Sequence, residues 1–171
     1  MAIAASDIVI RLSGGASVTD PNLSIGGVMS TVGGGVITTD VQNNDMDDIT
    51  SVEAGAGITI RHGYFYENAH GSLTYIAPAF YIDTITSSTD TNITLAVADE
   101  AKNTAIEVLA NEETEPATVT FTAPANFAAG ILTGDLDFGD YRGFWVKYIC
   151  GSSAAAVLDT YTLGIQGDTN P

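Results

Sequence analysis

The chain offers few side chains that ordinarily carry out chemistry. His62 and His70 are its only histidines, and they lie eight positions apart across a predicted turn. Two nitrogen ligands fall short of the three or four protein ligands that a zinc site requires. Cys150 is the only cysteine and ends a strongly apolar stretch, which favours a buried, inert thiol. We therefore predict no catalytic, no cofactor-binding and no metal-ligating residue.

Carboxylates are the most abundant ionisable groups, and one cluster of them could bind a hard cation. Asp45, Asp47 and Asp48 lie in the segment 40–48, DVQNNDMDD, and calcium prefers carboxylate oxygens. The spacing lacks the glycine and the distal glutamate of an EF-hand loop, so we interpret the segment as a solvated acidic loop. Sequence signatures of nucleophilic serine enzymes and of phosphate-binding loops are missing. We expect a protein that is not an enzyme.

Aromatic side chains suggest an alternative, a platform on which sugar rings could stack. The chain has one tryptophan, Trp145, and seven tyrosines, at positions 64, 66, 75, 81, 141, 148 and 161. In strands, such side chains more often pack in the core or pair across strands. We predict that Trp145 is buried, and we keep a carbohydrate-binding β-sandwich module as an alternative function.

The charge balance bounds the possible partners. The chain has 21 acidic and five basic residues and a formal net charge of -16. Such a chain repels nucleic-acid phosphates and anionic membrane surfaces, so we expect neither as a partner. Only 15% of its residues are charged, and 18 are glycine, which indicates an uncharged surface that a protein partner could cover. We see no signal peptide and no apolar run near the ~20 residues of a membrane helix, and we expect synthesis in a cytoplasm.

The stretch 137–150 has the strongest strand signal. Large apolar side chains fall on both faces of its alternation, with Phe144 and Val146 on one face and Trp145 on the other. This pattern predicts a central strand covered on both sides. The segment 160–166 also alternates, and we expect it to form a hairpin with this strand.

The remaining pattern is typical of an all-β fold. Gly63 predicts a kink in its strand, and Pro78 predicts an edge position or a bulge. With turn signals at short intervals, the pattern predicts an antiparallel β-sandwich, jelly-roll-like in its many short strands. Further short strands are predicted at 8–12, 58–66, 73–82, 92–97, 106–109 and 118–122.

Residues 1–40 differ from the rest in their glycine content. Pairs or triplets of glycine at 14–15, 26–27 and 33–35 supply few side chains for a core. We predict an extended N-terminal arm at 1–40 and a β-sandwich domain at 41–171. The alternative is a long loop with one strand, 8–12, in the main sheet.

Three stretches carry a resemblance to a known class of proteins. SDIVIRLSGG (6–15), YFYENAHGSLT (64–74) and the stretch 134–168, with GDLDFGDYRGFWVKYIC, resemble small virion structural proteins of tailed bacteriophages. The resemblance implies a capsid decoration, or cement, protein located on the virion surface and assembled in the host cytoplasm. It also implies a homotrimer that binds the major capsid protein. A tail or baseplate component is the nearest alternative.

Overall fold

A computed structural model describes residues 3–38, 45–46, 49–154 and 159–170. Its strands pair in antiparallel fashion, which confirms the predicted all-β fold. One short α-helix, α1 (Ser51–Ala56), precedes the second strand, and short 3-10 turns lie in the loops. The strands are β1 (Ile8–Leu12), β2 (Ile58–Asn68), β3 (Thr74–Thr86), β4 (Thr91–Val97), β5 (Ile131–Leu132), β6 (Tyr141–Cys150) and β7 (Thr160–Asn170).

Two sheets pack face to face as a β-sandwich. One has the strand order β1-β2-β6-β4 and the other has the order β5-β3-β7. Aromatic rings from both sheets meet between them: the Phe80 ring of β3 lies 4.4 Å from Phe144 of β6 and 4.8 Å from Tyr66 of β2. These rings belong to the main core, which contributes most of the apolar burial that drives folding.

β6 is the central strand that its alternation predicts. It lies between β2 and β4, and its two faces serve two separate apolar clusters. Phe144 and Val146 point into the main core between the sheets. Trp145 points to the opposite side, where it packs in an outer cluster with Phe65 and Ile106. Coverage of both faces explains why large apolar side chains occur on both sides of this strand.

The predicted hairpin between β6 and β7 is wrong. β7 pairs with β3 in the other sheet. The register begins with Thr74 opposite Asn170 and ends with Thr86 opposite Thr160. The chain therefore crosses from one sheet to the other after Cys150. An alternating strand buries one face equally well in either sheet of a sandwich, so its pattern does not select the neighbouring strand.

The interruption expected at Pro78 is a β-bulge in β3. The register with β7 shifts between Ile76 and Ala79, and Ala77 takes a positive φ of 45°. Proline has no N–H to donate to the ladder, and the Pro78 carbonyl accepts a hydrogen bond from the N–H of Thr133. The bulge therefore accommodates a proline in the middle strand of its sheet.

Two local expectations are wrong. The segment 106–109 is not a strand, since Ile106 alone forms a bridge there, with Gly27. The segment 118–122 is not a strand, since it forms a single bridge between Thr122 and Leu95 of β4. Its Val119 and Phe121 side chains pack on the outer cluster, and this burial accounts for the alternating pattern.

Residues 8–12 form strand β1, which pairs with β2 as in the second alternative considered for this segment. The following segment, 13–38, is called the N-terminal layer here. It has little regular structure, as expected of an arm, but it lies on the body of its own chain. Ser24 anchors it, because its Oγ donates to the Gly63 carbonyl at 2.6 Å and its carbonyl accepts from the Gly63 N–H at 2.7 Å. Ile106 forms an antiparallel bridge with Gly27 in the same layer.

Candidate functional site

The two histidines do not form a joint site. His62 is fully buried in β2, whereas His70 lies in the turn after this strand. About 20 Å of extended chain separates His62 from the end of β2, at roughly 3.3 Å per residue. His70 Nδ1 accepts hydrogen bonds from the N–H groups of Ser72 and Leu73, each at 3.1 Å, and so closes the turn.

Both ring nitrogens of His62 face oxygen atoms. Nδ1 lies 3.0 Å from the Asp45 carbonyl, and Nε2 lies 3.3 Å from Oε2 of Glu112. A carbonyl only accepts, so Nδ1 must carry a proton. His62 thus connects residue 45 and the loop around 112 to β2.

Two tyrosine hydroxyl groups complete this set of contacts. The Tyr64 hydroxyl donates to the Asp45 carbonyl, and the Tyr161 hydroxyl donates to the Asp45 carboxylate. Burial raises the pKa of both phenols well above the usual value, and for Tyr161 the Asp45 carboxylate adds to the increase. Both hydroxyls therefore remain protonated donors. The polar groups around His62 hold loops in place, and among the described residues no free nucleophile lies beside the ring.

The predicted acidic loop at 40–48 lies mostly outside the described residues, which include only Asp45 and Met46 of this stretch. In the part of the chain that the structure describes, no three His, Cys, Asp or Glu side chains converge as metal ligands would.

An open cleft of about 360 Å³ lies beside the end of β6. Cys150, Tyr148 and Asp159 are among the residues that line it. The Tyr148 hydroxyl donates to Asp159 Oδ2 at 2.6 Å, and the other oxygen of this carboxylate accepts from the Ser88 N–H at 2.9 Å. Both carboxylate oxygens are thus used to hold the chain that leads into β7.

The Cys150 thiol in this cleft is poorly suited to nucleophilic chemistry. Burial raises its pKa, and the negative charge of Asp159 raises it further. A thiol is nucleophilic only as the thiolate, so a raised pKa lowers its reactivity. Both histidines hydrogen-bond elsewhere, and neither lines the cleft. The buried thiol expected from the sequence is confirmed.

All five cationic side chains bind within the molecule. Arg11 pairs with Glu67 at 2.7 Å, and Lys102 pairs with Asp140 at 2.5 Å. Arg142 donates to a backbone carbonyl at 2.9 Å. The two remaining cations, Arg61 and Lys147, both pair with Glu115. The 21 acidic groups outnumber the five cations, and these cations are already bound within the molecule. The exterior therefore repels other anions.

The N-terminal layer contrasts with this acidic exterior. Its 26 residues, 13–38, contain one charged side chain, Asp20. Val28 is 50% exposed there, and Leu23 is 54% exposed. Val108, 69% exposed, lies beside the bridge that joins the layer to Ile106. Exposed apolar groups on a nearly uncharged surface are typical of protein interaction sites. We call residues 13–38 with Val108 the apolar layer surface.

The aromatic platform considered from the sequence does not form around Trp145, because this side chain is not at the surface. Trp145 is fully buried, as predicted, and Tyr64 and Tyr66 are buried in the main core. Sugar stacking needs an exposed ring face, which these three side chains do not offer. The alternation of β6 was therefore a signal of double-sided packing.

Comparisons with models of protein families, with curated proteins and with solved structures find no match. Among the helices of the described residues, none has the length and apolar character to span a membrane.

Sequence reasoning missed the partners that fix these sites. His62 lies 50 positions from Glu112 and 17 from Asp45, and no local spacing relates them. The dense glycines of the N-terminal layer were the one usable signal. They indicated a segment shaped by what it touches, and the structure shows that part of what it touches is its own sheet.

Proposed function

We propose that this chain is a virion structural protein of a tailed bacteriophage, which binds the outer surface of the capsid and stabilises it. The observation that carries the proposal is the apolar layer surface on an otherwise acidic molecule. Burying it against a partner removes apolar area from water and desolvates almost no charge. The resemblance of residues 6–15, 64–74 and 134–168 to small virion proteins supports the same function.

The mechanism is thermodynamic linkage. A protein that binds only the mature capsid lattice stabilises it by its own binding free energy. Weak contacts add up when each copy touches several lattice subunits. The partner is the major capsid protein, and its contact surface is neutral or basic, because a second acidic surface would be repelled.

The first test compares heads that contain this protein with heads that lack it. We expect the complete heads to resist heat and chelators better. Immuno-electron microscopy with an antibody to this chain is expected to label heads. Unchanged head stability, or label confined to tails, would replace the proposal with a tail or baseplate component.

A second test uses matched substitutions. Val28→Asp and Val108→Asp place charge in the apolar layer surface, whereas Val52→Asp makes the same change at an 80% exposed position on α1. We expect the first two variants to lose co-sedimentation with heads and the third to retain it. Equal binding by all three would exclude this surface. A glycan array on the purified chain tests the carbohydrate-binding alternative, for which we expect no signal.

A further inference from the structure

Most strand edges of the sandwich are covered by other parts of the chain. On the outer side of β1, the N–H groups of Ser30 and Ile37 donate to backbone carbonyls of the strand, each at 2.9 Å. On the outer side of β4, Thr122 and Leu95 exchange two backbone hydrogen bonds of 2.8 and 2.7 Å. Such coverage keeps a sheet from pairing with other chains.

The inner strands are covered where their short neighbours end. On β2, beyond the last residue of β1, the N–H of Arg61 donates to the Glu112 carbonyl at 2.8 Å. On β3, beyond β5, the N–H of Ile82 donates to the Pro124 carbonyl at 2.8 Å, and Tyr75 exchanges two hydrogen bonds with Leu136. The fold thus uses loops to complete these ladders.

The outer edge of β7 differs. Among the described residues, β7 bonds through its backbone only to β3, and ten of its eleven residues are paired there. Asp168 is its one charged side chain, and it contains no lysine or proline to block pairing. A long, nearly neutral edge of this kind is a template for another strand.

The pairing with β3 shows which groups face outward. The Ile82 N–H points away from β7, toward Pro124, so its partner Leu163 directs its own N–H and C=O to the open edge. The same argument applies to Thr169, whose partner Tyr75 bonds to the other side.

By alternation, Ile165 also faces outward. Its carbonyl accepts one hydrogen bond from the Tyr75 hydroxyl at 3.2 Å and keeps a second lone pair.

The side chains at this edge are incompletely buried. Tyr161, Leu163 and Ile165 pack against the main core, yet each remains partly exposed. An additional strand beside β7 would cover them and extend the core together with the sheet.

We propose that β7 pairs antiparallel with β7 of a second copy, which joins two three-stranded sheets into one of six strands. Identical edges supply each other with donors and acceptors in a two-fold arrangement. The full-overlap register places Ile165 opposite Ile165, because this aligns the outward-facing residues of both strands. It also places Asp168 of each copy opposite Thr162 of the other.

The charges of β7 itself permit a second copy at this edge. In the full-overlap register the two Asp168 carboxylates lie about 20 Å apart, six residues at roughly 3.3 Å each. That separation exceeds the Debye length of about 8 Å at physiological salt. In this register, Asp168, the one charged side chain of β7, therefore has no charged β7 residue of the other copy directly opposite it. The contact produces a dimer, whereas the resemblance implies a trimer, and it does not depend on what the protein binds in a particle.

The experiment varies Thr162, an exposed residue, and measures association by sedimentation velocity over a concentration series. Thr162→Asp sets a carboxylate opposite Asp168 twice in each dimer, so we expect the dimer to weaken by about tenfold. Thr162→Lys sets an ammonium group there, and we expect tighter association. Thr120→Asp is the control, since it changes the same residue type and the same charge at an exposed loop position.

Hydrogen exchange supplies an independent measurement on the unmodified chain. The amides of Leu163 and Ile165 should exchange slowly at high protein concentration and quickly at low concentration. Circular dichroism verifies the fold of each variant. A wild-type monomer at all concentrations, a trimer, or an association equal in Thr162→Asp, Thr162→Lys and wild type would each overturn the proposal.

Discussion

Gly63 lies directly opposite Trp145 in the β2–β6 pair, and the indole ring fills the space that a side chain at position 63 would need. A Cβ at Gly63 would lie 2.8 Å from Cζ3 of Trp145 and 2.6 Å from Cδ1 of Ile106. The indole ring of Trp145 thus fits because Gly63, opposite it on the neighbouring strand, has no side chain. The outer cluster depends on this match.

Gly63→Ala should therefore be destabilising. The methyl group must displace either the indole or Ile106, and we expect a loss of about 1–3 kcal/mol in the free energy of unfolding. Gly55→Ala is the control, because nothing lies within 4 Å of a Cβ there and the residue is in α1. We expect it to be neutral or slightly stabilising. Equal urea midpoints for the two variants would contradict the steric argument.

Trp145→Ala should cost on the order of 3–5 kcal/mol, because it leaves a cavity in the outer cluster. Trp145→Phe should cost less, since it keeps part of the ring, and the indole Nε1 has no hydrogen-bond partner among the described residues. Thermal melting compares the two variants. Wild-type tryptophan emission should be blue-shifted, and emission typical of a water-exposed indole would argue against this packing.

Deletion of residues 1–30 should abolish soluble folding. It removes β1 and most of the N-terminal layer, including Ser24, and so leaves the Gly63 backbone groups and the outer cluster uncovered. A chain that lacks only residues 1–4 keeps β1 and serves as the control. Solubility and cooperative melting are the readouts. A 31–171 fragment that melts cooperatively would instead show that the domain at 41–171 folds alone.

Acid should weaken the fold through Asp140. Burial alone would raise the pKa of this carboxyl, but hydrogen bonds from Lys102, Asn103 and the Asp137 N–H outweigh it and lower the pKa below the ordinary 3.8. A folded-state pKa below the unfolded one gives stability that is present above about pH 4 and is lost as the pH falls further.

Asp140→Asn tests this contribution. At pH 7 we expect a loss of roughly 1–3 kcal/mol, because the hydrogen bonds to a charged acceptor are weakened. The difference between variant and wild type should shrink as the pH falls below 4. Urea unfolding at several pH values measures it, with Glu113→Gln, an exposed carboxylate, as the control. A difference that is constant with pH would assign the loss to packing.

A strand was predictable from the sequence where both of its faces are buried. The strand with which it pairs was not predictable. Apolar groups on both faces of 144–150 required a central strand, and β6 is one. The pattern of 160–166 required only one buried face, which either sheet could provide, so the nearest strand in sequence was the wrong partner. The pattern of 118–122 arose from packing on the outer cluster, without a ladder.

Long-range polar contacts account for what the sequence could not predict about the candidate sites. The contact between His62 and Glu112 depends on a loop that returns 50 residues later. The low charge of residues 13–38, in contrast, is visible in the sequence itself. Its exposure on the folded surface required the coordinates, because an uncharged segment is equally compatible with burial.

The position of the N-terminal layer imposes an order on biosynthesis. Residues 13–38 are made before most of the sheet face beneath them, which is complete only after β6 ends at Cys150. At about 5–20 residues per second, the layer waits roughly 10 s for its support. Because pairings between distant segments also form slowly, the layer should reach its final packing only after β6 has been made. A prematurely terminated chain would therefore never acquire the surface through which we propose that the finished protein assembles.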